Sequence, residues 1–165
     1  TGGFCAHYCF VLLQACGSFG IPVRMATVRG HEVAEAWLED EQRWTLVDPM
    51  YALQVVDERG RSLSALEIRD ARQDPDRLTF TSGHRYPEDV GHYARRFDVL
   101  AVWIRNDFIS RPVNFADFPR CRVWIAPPPD ATAANAPYRT DDPGKLYDPP
   151  SVRSPLDGVV TVSRF

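Results

Sequence analysis

Three side chains in the first third of the chain, Cys5, His31 and Asp48, are of the types that together perform nucleophilic catalysis. A thiol attacks as its thiolate, so it needs a base to take its proton and a local field that favours the anion. An imidazole can take that proton on one ring nitrogen while a carboxylate holds the other. Residues 4–19 contain no proline, and Gly17 comes where a helix would close, so the spacing predicts one helix of about four turns. Gly2 and Gly3 leave the backbone free to turn sharply into it. Cys5 then falls in the first turn, where unpaired N–H groups and the positive end of the helix dipole favour a thiolate.

Cys9 and Cys16 lie on the same helical stripe as Cys5, but neither sits at the helix mouth; both are read as small core residues. Ala6, Phe10 and Leu13 form a second apolar stripe, with Val11 and Leu12 between. A helix so nearly apolar all round is predicted to be buried centrally. Gly20 ends it and Pro22 commits the chain to extended structure, with a strand predicted over Met25 to Arg29. From His31 to Leu38 the side chains alternate, His31, Val33, Glu35 and Trp37 on one face and Glu32, Ala34, Ala36 and Leu38 on the other. The polar run Glu39 to Arg43 is a turn, and Trp44 to Val47 the returning strand. Centring the turn between Glu39 and Asp40 sets His31 directly across from Asp48, on one face, with Cβ atoms about 4.5–5.5 Å apart. In this register Trp44 is read on the face opposite Trp37. Arg24 and Glu35 are read as a structural ion pair.

Four linked segments, in order, carry a resemblance: Gly3-Phe4-Cys5; Gly20-Ile21-Pro22-Val23-Arg24; His31 through Glu35; and Trp44 through Asp48-Pro49. This run resembles the core of the transglutaminase-like superfamily. The resemblance implies an α+β fold, a papain-like core in which a central N-terminal helix packs on an antiparallel sheet. It implies a catalytic triad of Cys5, His31 and Asp48 that acts on an amide bond through an acyl-thioester. An amine acceptor gives transamidation and water gives hydrolysis, so a cysteine protease or amidase is the alternative activity. A catalytically idle domain that keeps the fold for binding is the alternative of another class. The family often carries an aromatic two residues after the histidine, where this chain has Val33. It also places an oxyanion donor upstream of the cysteine, so the domain is expected to begin before Thr1.

The remaining features set limits. With 165 residues, 44% hydrophobic and 25% charged, the chain can bury a core as one domain. A net charge of −3 argues against a general nucleic-acid partner, and the longest apolar run, near Val99 to Ile104, is far too short for a membrane span. The expected partner is a protein or peptide substrate; no cofactor is called for, and neither compartment nor oligomeric state is indicated. Cys5, His7, Cys9 and His31 are poor candidates for a metal site, because His7 points away from the Cys5–Cys9 line and no CxxC pair is present. His84 and His92 are alternative bases that lack the tryptophan and aspartate following His31.

Downstream, Tyr51 to Val56 is predicted to extend the sheet. Ser64 and Glu67 form a capping box for a helix over residues 65–73, and a second helix is predicted from Pro87 through Phe97. Strands are predicted over Val99 to Arg105 and Arg122 to Ala126. The polar cluster Arg105-Asn106-Asp107-Phe108 is read as a structural turn. The resemblance then implies that residues 1–126 form the transglutaminase-like domain. Residues 127–165 are read as an extended arm or tail, because eight of the 14 prolines fall in residues 127–155 and the stretch has little apolar surface to offset its ordering entropy. The last residues, Gly158 to Phe165, are read as a strand that could dock.

Overall fold

The computed structural model describes residues 4–82, 89–104, 121–132, 134, 136 and 138–149. Helix α1 spans Cys5–Ser18. It starts where Phe4 is extended, its N–H donating to His7 Nδ1 at 3.1 Å. It ends at Gly20, whose φ of +72° suits only glycine well. There Ile21 N–H donates to Cys16 O and Gly20 N–H to Gly17 O, the paired bonds that close a helix on a left-handed glycine.

In chain order the strands are β1 Val23–Val28, β2 His31–Leu38, β3 Arg43–Val47, β4 Leu53–Val56, β5 Thr79–Ser82, β6 Leu100–Trp103 and β7 Arg122–Ala126. Among the described residues the main sheet has five antiparallel strands in the order β3-β2-β1-β6-β7, and β4 pairs with β5 in a second, two-stranded sheet. The segment predicted to extend the main sheet is therefore in a separate one. Helices α2, Ala65–Ala71, and α3, Val90–Arg95, complete the mixed helix-and-sheet, α+β architecture. The capping box is formed: Ser64 Oγ accepts Glu67 N–H at 3.2 Å and Glu67 Oε2 accepts Ser64 N–H at 2.8 Å. Both helices are shorter than predicted, α3 giving way to a 3-10 turn at Arg96–Asp98.

The main sheet separates two cores. On one face, Cys9 and Leu13 of α1 pack on Val23, Met25, Ala34 and Trp103. On the other, Ala26, Val28, Val33, Leu46 and Leu100 meet Leu53, Ile68, Tyr93 and Phe97 from the second sheet and from α2, α3 and the 3-10 turn. Helix α1 is not central, as its composition suggested. It lies on an outer face, and Phe4 and Phe19 are 78% and 81% exposed. One sheet face can cover only one side of a helix, so the apolar residues on the far side of α1 stay in solvent.

The turn between β2 and β3 sets a different register from the one expected. Leu38 pairs with Arg43 and Ala34 with Val47, so Glu39 to Gln42 form a four-residue loop, with Gln42 at φ 51°. Relative to a turn centred at Glu39 and Asp40, the pairing slips by two residues. A slip of two preserves faces. Trp37 sits directly across from Trp44, on the same face, with ring centroids 5.6 Å apart; the opposite-face reading fails on parity, because a turn centred at Glu39 and Asp40 also sets Trp44 across from Glu35, on the face of Trp37.

Part of the stretch read as an arm lies against the sheet. Trp124 N–H donates to Tyr138 O and Trp124 O accepts from Thr140 N–H, while Leu146, in a 3-10 turn at Pro143–Tyr147, is buried against Val102 and Val123. Arg24 fastens it: its guanidinium pairs with Glu35 Oε2 at 2.8 Å, donates to Leu146 O, and stacks between Trp44 and Tyr147, 4.1 and 4.5 Å from their ring centroids. Glu35 Oε1 accepts Ala65 N–H at 2.8 Å at the start of α2. The pair thus joins β1, β2, β3, α2 and the C-terminal segment. His84, the Arg105 to Phe108 cluster and Gly158 to Phe165 lie outside the described residues.

Candidate active site

His31 opens β2 directly after the two-residue turn Arg29-Gly30, with Gly30 at φ +66°. Its Nε2 lies 2.7 Å from Asp48 Oδ2, and its ring packs against Tyr51 at a centroid separation of 5.6 Å. Asp48 follows the last residue of β3 and is fully buried. Three donors hold its carboxylate: Oδ2 takes the His31 ring and the Tyr93 O–H at 3.0 Å, and Oδ1 takes Met50 N–H at 3.1 Å. A buried anion without such partners would be costly. His31 and Asp48 thus meet on one face despite the slipped register, because a slip of two keeps both side chains on that face; beyond the last ladder pair Asp48 bonds Leu53 instead.

Cys5 is the first residue of α1 and is half-buried. Its sulfur accepts the N–H of Glu32, the residue after His31, at 3.4 Å; Cys9 Sγ donates to Glu32 O at 3.5 Å. The cause is a gap in the sheet. His31 pairs with Val28 across a tight turn and Trp37 N–H bonds Pro22 O, so the even-numbered residues of β2 aim their N–H and C=O groups at β3. The register continued by two residues puts Pro49 across from Glu32, and proline has no N–H to give. The chain turns away after Asp48, and the two thiols of α1 satisfy the peptide groups that β3 leaves open.

The two thiols differ. Cys9 is fully buried, and burial pushes its thiol far above the usual range, with Glu32, Asp48 and Cys5 adding to the effect. It is held as a neutral S–H donor, whereas the Cys5 sulfur accepts a backbone N–H at the N-terminus of α1. Cys16 is half-buried and Cys121 buried.

The Glu32 side chain escaped the sequence reading. On the α1 face its oxygens accept from Thr27 Oγ1 at 3.0 and 2.8 Å. Burial raises its carboxyl to about 7, opposed by the Thr27 hydroxyl, Arg122, Trp103 and His31. Tyr93 was also missed, since nothing local to a tyrosine 45 residues from Asp48 announces the contact. Glu32 carried a signal: a carboxylate one residue after His31 must face the apolar helix. His7 caps the start of α1, and His92 is exposed on α3. Among the described residues no group of three His, Cys, Asp or Glu side chains is placed to hold a metal, and no helix is long and apolar enough to cross a membrane. Comparisons with family models, curated proteins and solved structures found no match to this chain.

Proposed function

We propose that this chain is a transglutaminase-like cysteine enzyme with a papain-like core, acting on an amide bond through Cys5, His31 and Asp48. The observation that carries the reading is the buried 2.7 Å contact of His31 Nε2 with Asp48 Oδ2, one residue from the N–H that binds the Cys5 sulfur. With Nε2–H given to Asp48, Nδ1 is the nitrogen left to exchange a proton with the thiol.

In this reading the Cys5 thiolate attacks the carbonyl carbon of a carboxamide or peptide. The first-turn N–H groups of α1 favour the oxyanion that develops. The imidazolium gives its proton to the leaving nitrogen, which departs as ammonia or an amine and leaves an acyl-thioester. A primary amine or water then attacks the thioester, His31 takes the nucleophile's proton, and Cys5 is released. The triad is the same for transamidation and hydrolysis, and acceptor access decides between them. The test is ammonia release from glutamine-containing peptides, with and without a primary amine, alongside cleavage of the peptide chain. Activity that depends on Cys5, His31 and Asp48 is expected; a Cys5→Ala variant with full activity in every assay overturns the reading.

One observation favours a second reading, a catalytically idle binding domain. The outer side of α1 exposes Phe4, Tyr8, Val11 and Phe19, the kind of apolar surface that proteins use for partners. Intact hydrogen bonding around Asp48 weighs against it, since a binding domain has no need of a buried His–Asp pair.

A further inference from the structure

Tyr93 is fully buried on α3 and packs against Phe80 and Phe97, at centroid separations of 5.5 and 5.6 Å. A phenylalanine would fill the same aromatic cluster. The hydroxyl instead reaches out of it to Asp48 Oδ2 at 3.0 Å, the oxygen that also holds His31 Nε2 at 2.7 Å. Met50 N–H occupies the other oxygen, so the carboxylate is already anchored without Tyr93.

We propose that Tyr93 is a positioning residue of this site, setting through Asp48 how tightly the His31 imidazolium keeps its proton. This rests on the reading of Cys5, His31 and Asp48 as a triad. Two donors share one oxygen, and each draws on the same negative charge. Taking the phenol away leaves Oδ2 a stronger acceptor for the ring N–H, so the imidazolium is favoured and gives up its proton at higher pH. A tighter imidazolium is a slower general acid toward the leaving nitrogen. Tyr93 thus tempers a carboxylate that would otherwise hold the proton too well.

The experiment tracks the His31 ring by nitrogen NMR across pH in the folded chain, its signal assigned by its loss in His31→Ala. Tyr93→Phe is expected to raise the His31 transition by about half a pH unit, roughly threefold in the ionisation constant, and to lower kcat several-fold with little change in KM. Replacing Tyr93 with 3,5-difluorotyrosine, a stronger donor, is expected to move the transition down, and it serves as the test if Tyr93→Phe does not fold. Phe97→Leu disturbs the same packing but keeps the hydroxyl, and is expected to lower Tm and leave the transition in place. A His31 transition unmoved by both Tyr93 replacements, or moved equally by Phe97→Leu, overturns the proposal. The triad itself is tested by Cys5→Ala, which on that reading removes the anionic partner of the imidazolium and must shift the His31 transition. If it does not, the Cys5–His31 pairing fails whatever Tyr93 does.

Discussion

Replacing Asp48 with Asn exchanges one carboxylate oxygen for an NH2 group, at a position where every partner is a donor. Those partners are His31 Nε2–H, the Tyr93 O–H and Met50 N–H. The amide offers one acceptor oxygen and one NH2, so one side of the new asparagine must present a donor to donors. If the NH2 faces Met50, a half-buried backbone N–H is left unmet and set against another donor, at a cost of up to about 1–3 kcal/mol. If it faces the other way, the Tyr93 hydroxyl can rotate to accept, and His31 can accept at Nε2 by moving its proton to Nδ1. The second arrangement is the cheaper, so the imidazole is driven to the tautomer that cannot take the thiol's proton. A bias of that size corresponds to roughly 5–150-fold, and loss of the charge that stabilises the imidazolium adds to it. The same change in a serine triad costs about 10⁴ in turnover; a thiol that starts at a helix N-terminus depends less on its base, giving about 10²–10³ here. The assay is ammonia release from a glutamine peptide, with circular dichroism to establish that the variant is folded. Activity of a folded Asp48→Asn variant within about threefold of the parent would refute the reasoning, because nothing in the alternative tautomer can act as base.

At neutral pH iodoacetamide should modify Cys5 well before Cys9, which is buried and held protonated; mass spectrometry of the folded chain checks this, and faster labelling of Cys9 would mean the nucleophile is misplaced. Glu32 should make stability fall as pH rises: below about 4.5 it is protonated in both states, between 4.5 and about 7 the unfolded chain sheds the proton that the folded chain keeps, and above about 7 the full penalty is present. The pH dependence of denaturant midpoints between about 4.5 and 7 should therefore flatten in Glu32→Gln, and an unchanged slope contradicts the assignment. Arg24→Leu should cost about 3–5 kcal/mol in chemical denaturation by leaving Glu35 buried without its cation, and Glu35→Leu in the same background should recover part of it; a single-variant loss below about 1 kcal/mol would show that the pair is not what joins the strands.

The elements nearest the site were legible because each rests on a local signal. The proline-free run to Gly20 made α1, the alternation from His31 made β2, and Ser64 with Glu67 made the start of α2. Properties that depend on distant chain were not legible. The β2–β3 register slipped by two because Gln42 adopts a left-handed conformation that no residue type in the turn advertises. The faces survived because side-chain direction has a period of two, which is why His31 and Asp48 still meet. The proline-rich stretch looked unable to bury itself by composition, yet a few residues suffice when the receiving surface is prepared. Arg24, Trp44 and the β7 edge accept Leu146, Tyr147 and the backbone of Tyr138 and Thr140.

Strand termination also accounts for where the candidate nucleophile lies. A sheet edge with open peptide groups is costly unless something covers it. Pro49 cannot complete the ladder opposite Glu32, so the edge must be met by side chains from outside the sheet. A helix that starts there with thiols one turn apart meets both groups, the N–H with Cys5 and the C=O with Cys9. The Asp-Pro step therefore does two things at once: it ends β3 with Asp48 aimed at His31, and it opens the slot that draws the first turn of α1 to the neighbouring residue. The nearness of the Cys5 thiol to the backbone of the residue after His31 is in this sense a consequence of where β3 stops, and the carboxylate that bonds the imidazole belongs to the residue just before the break.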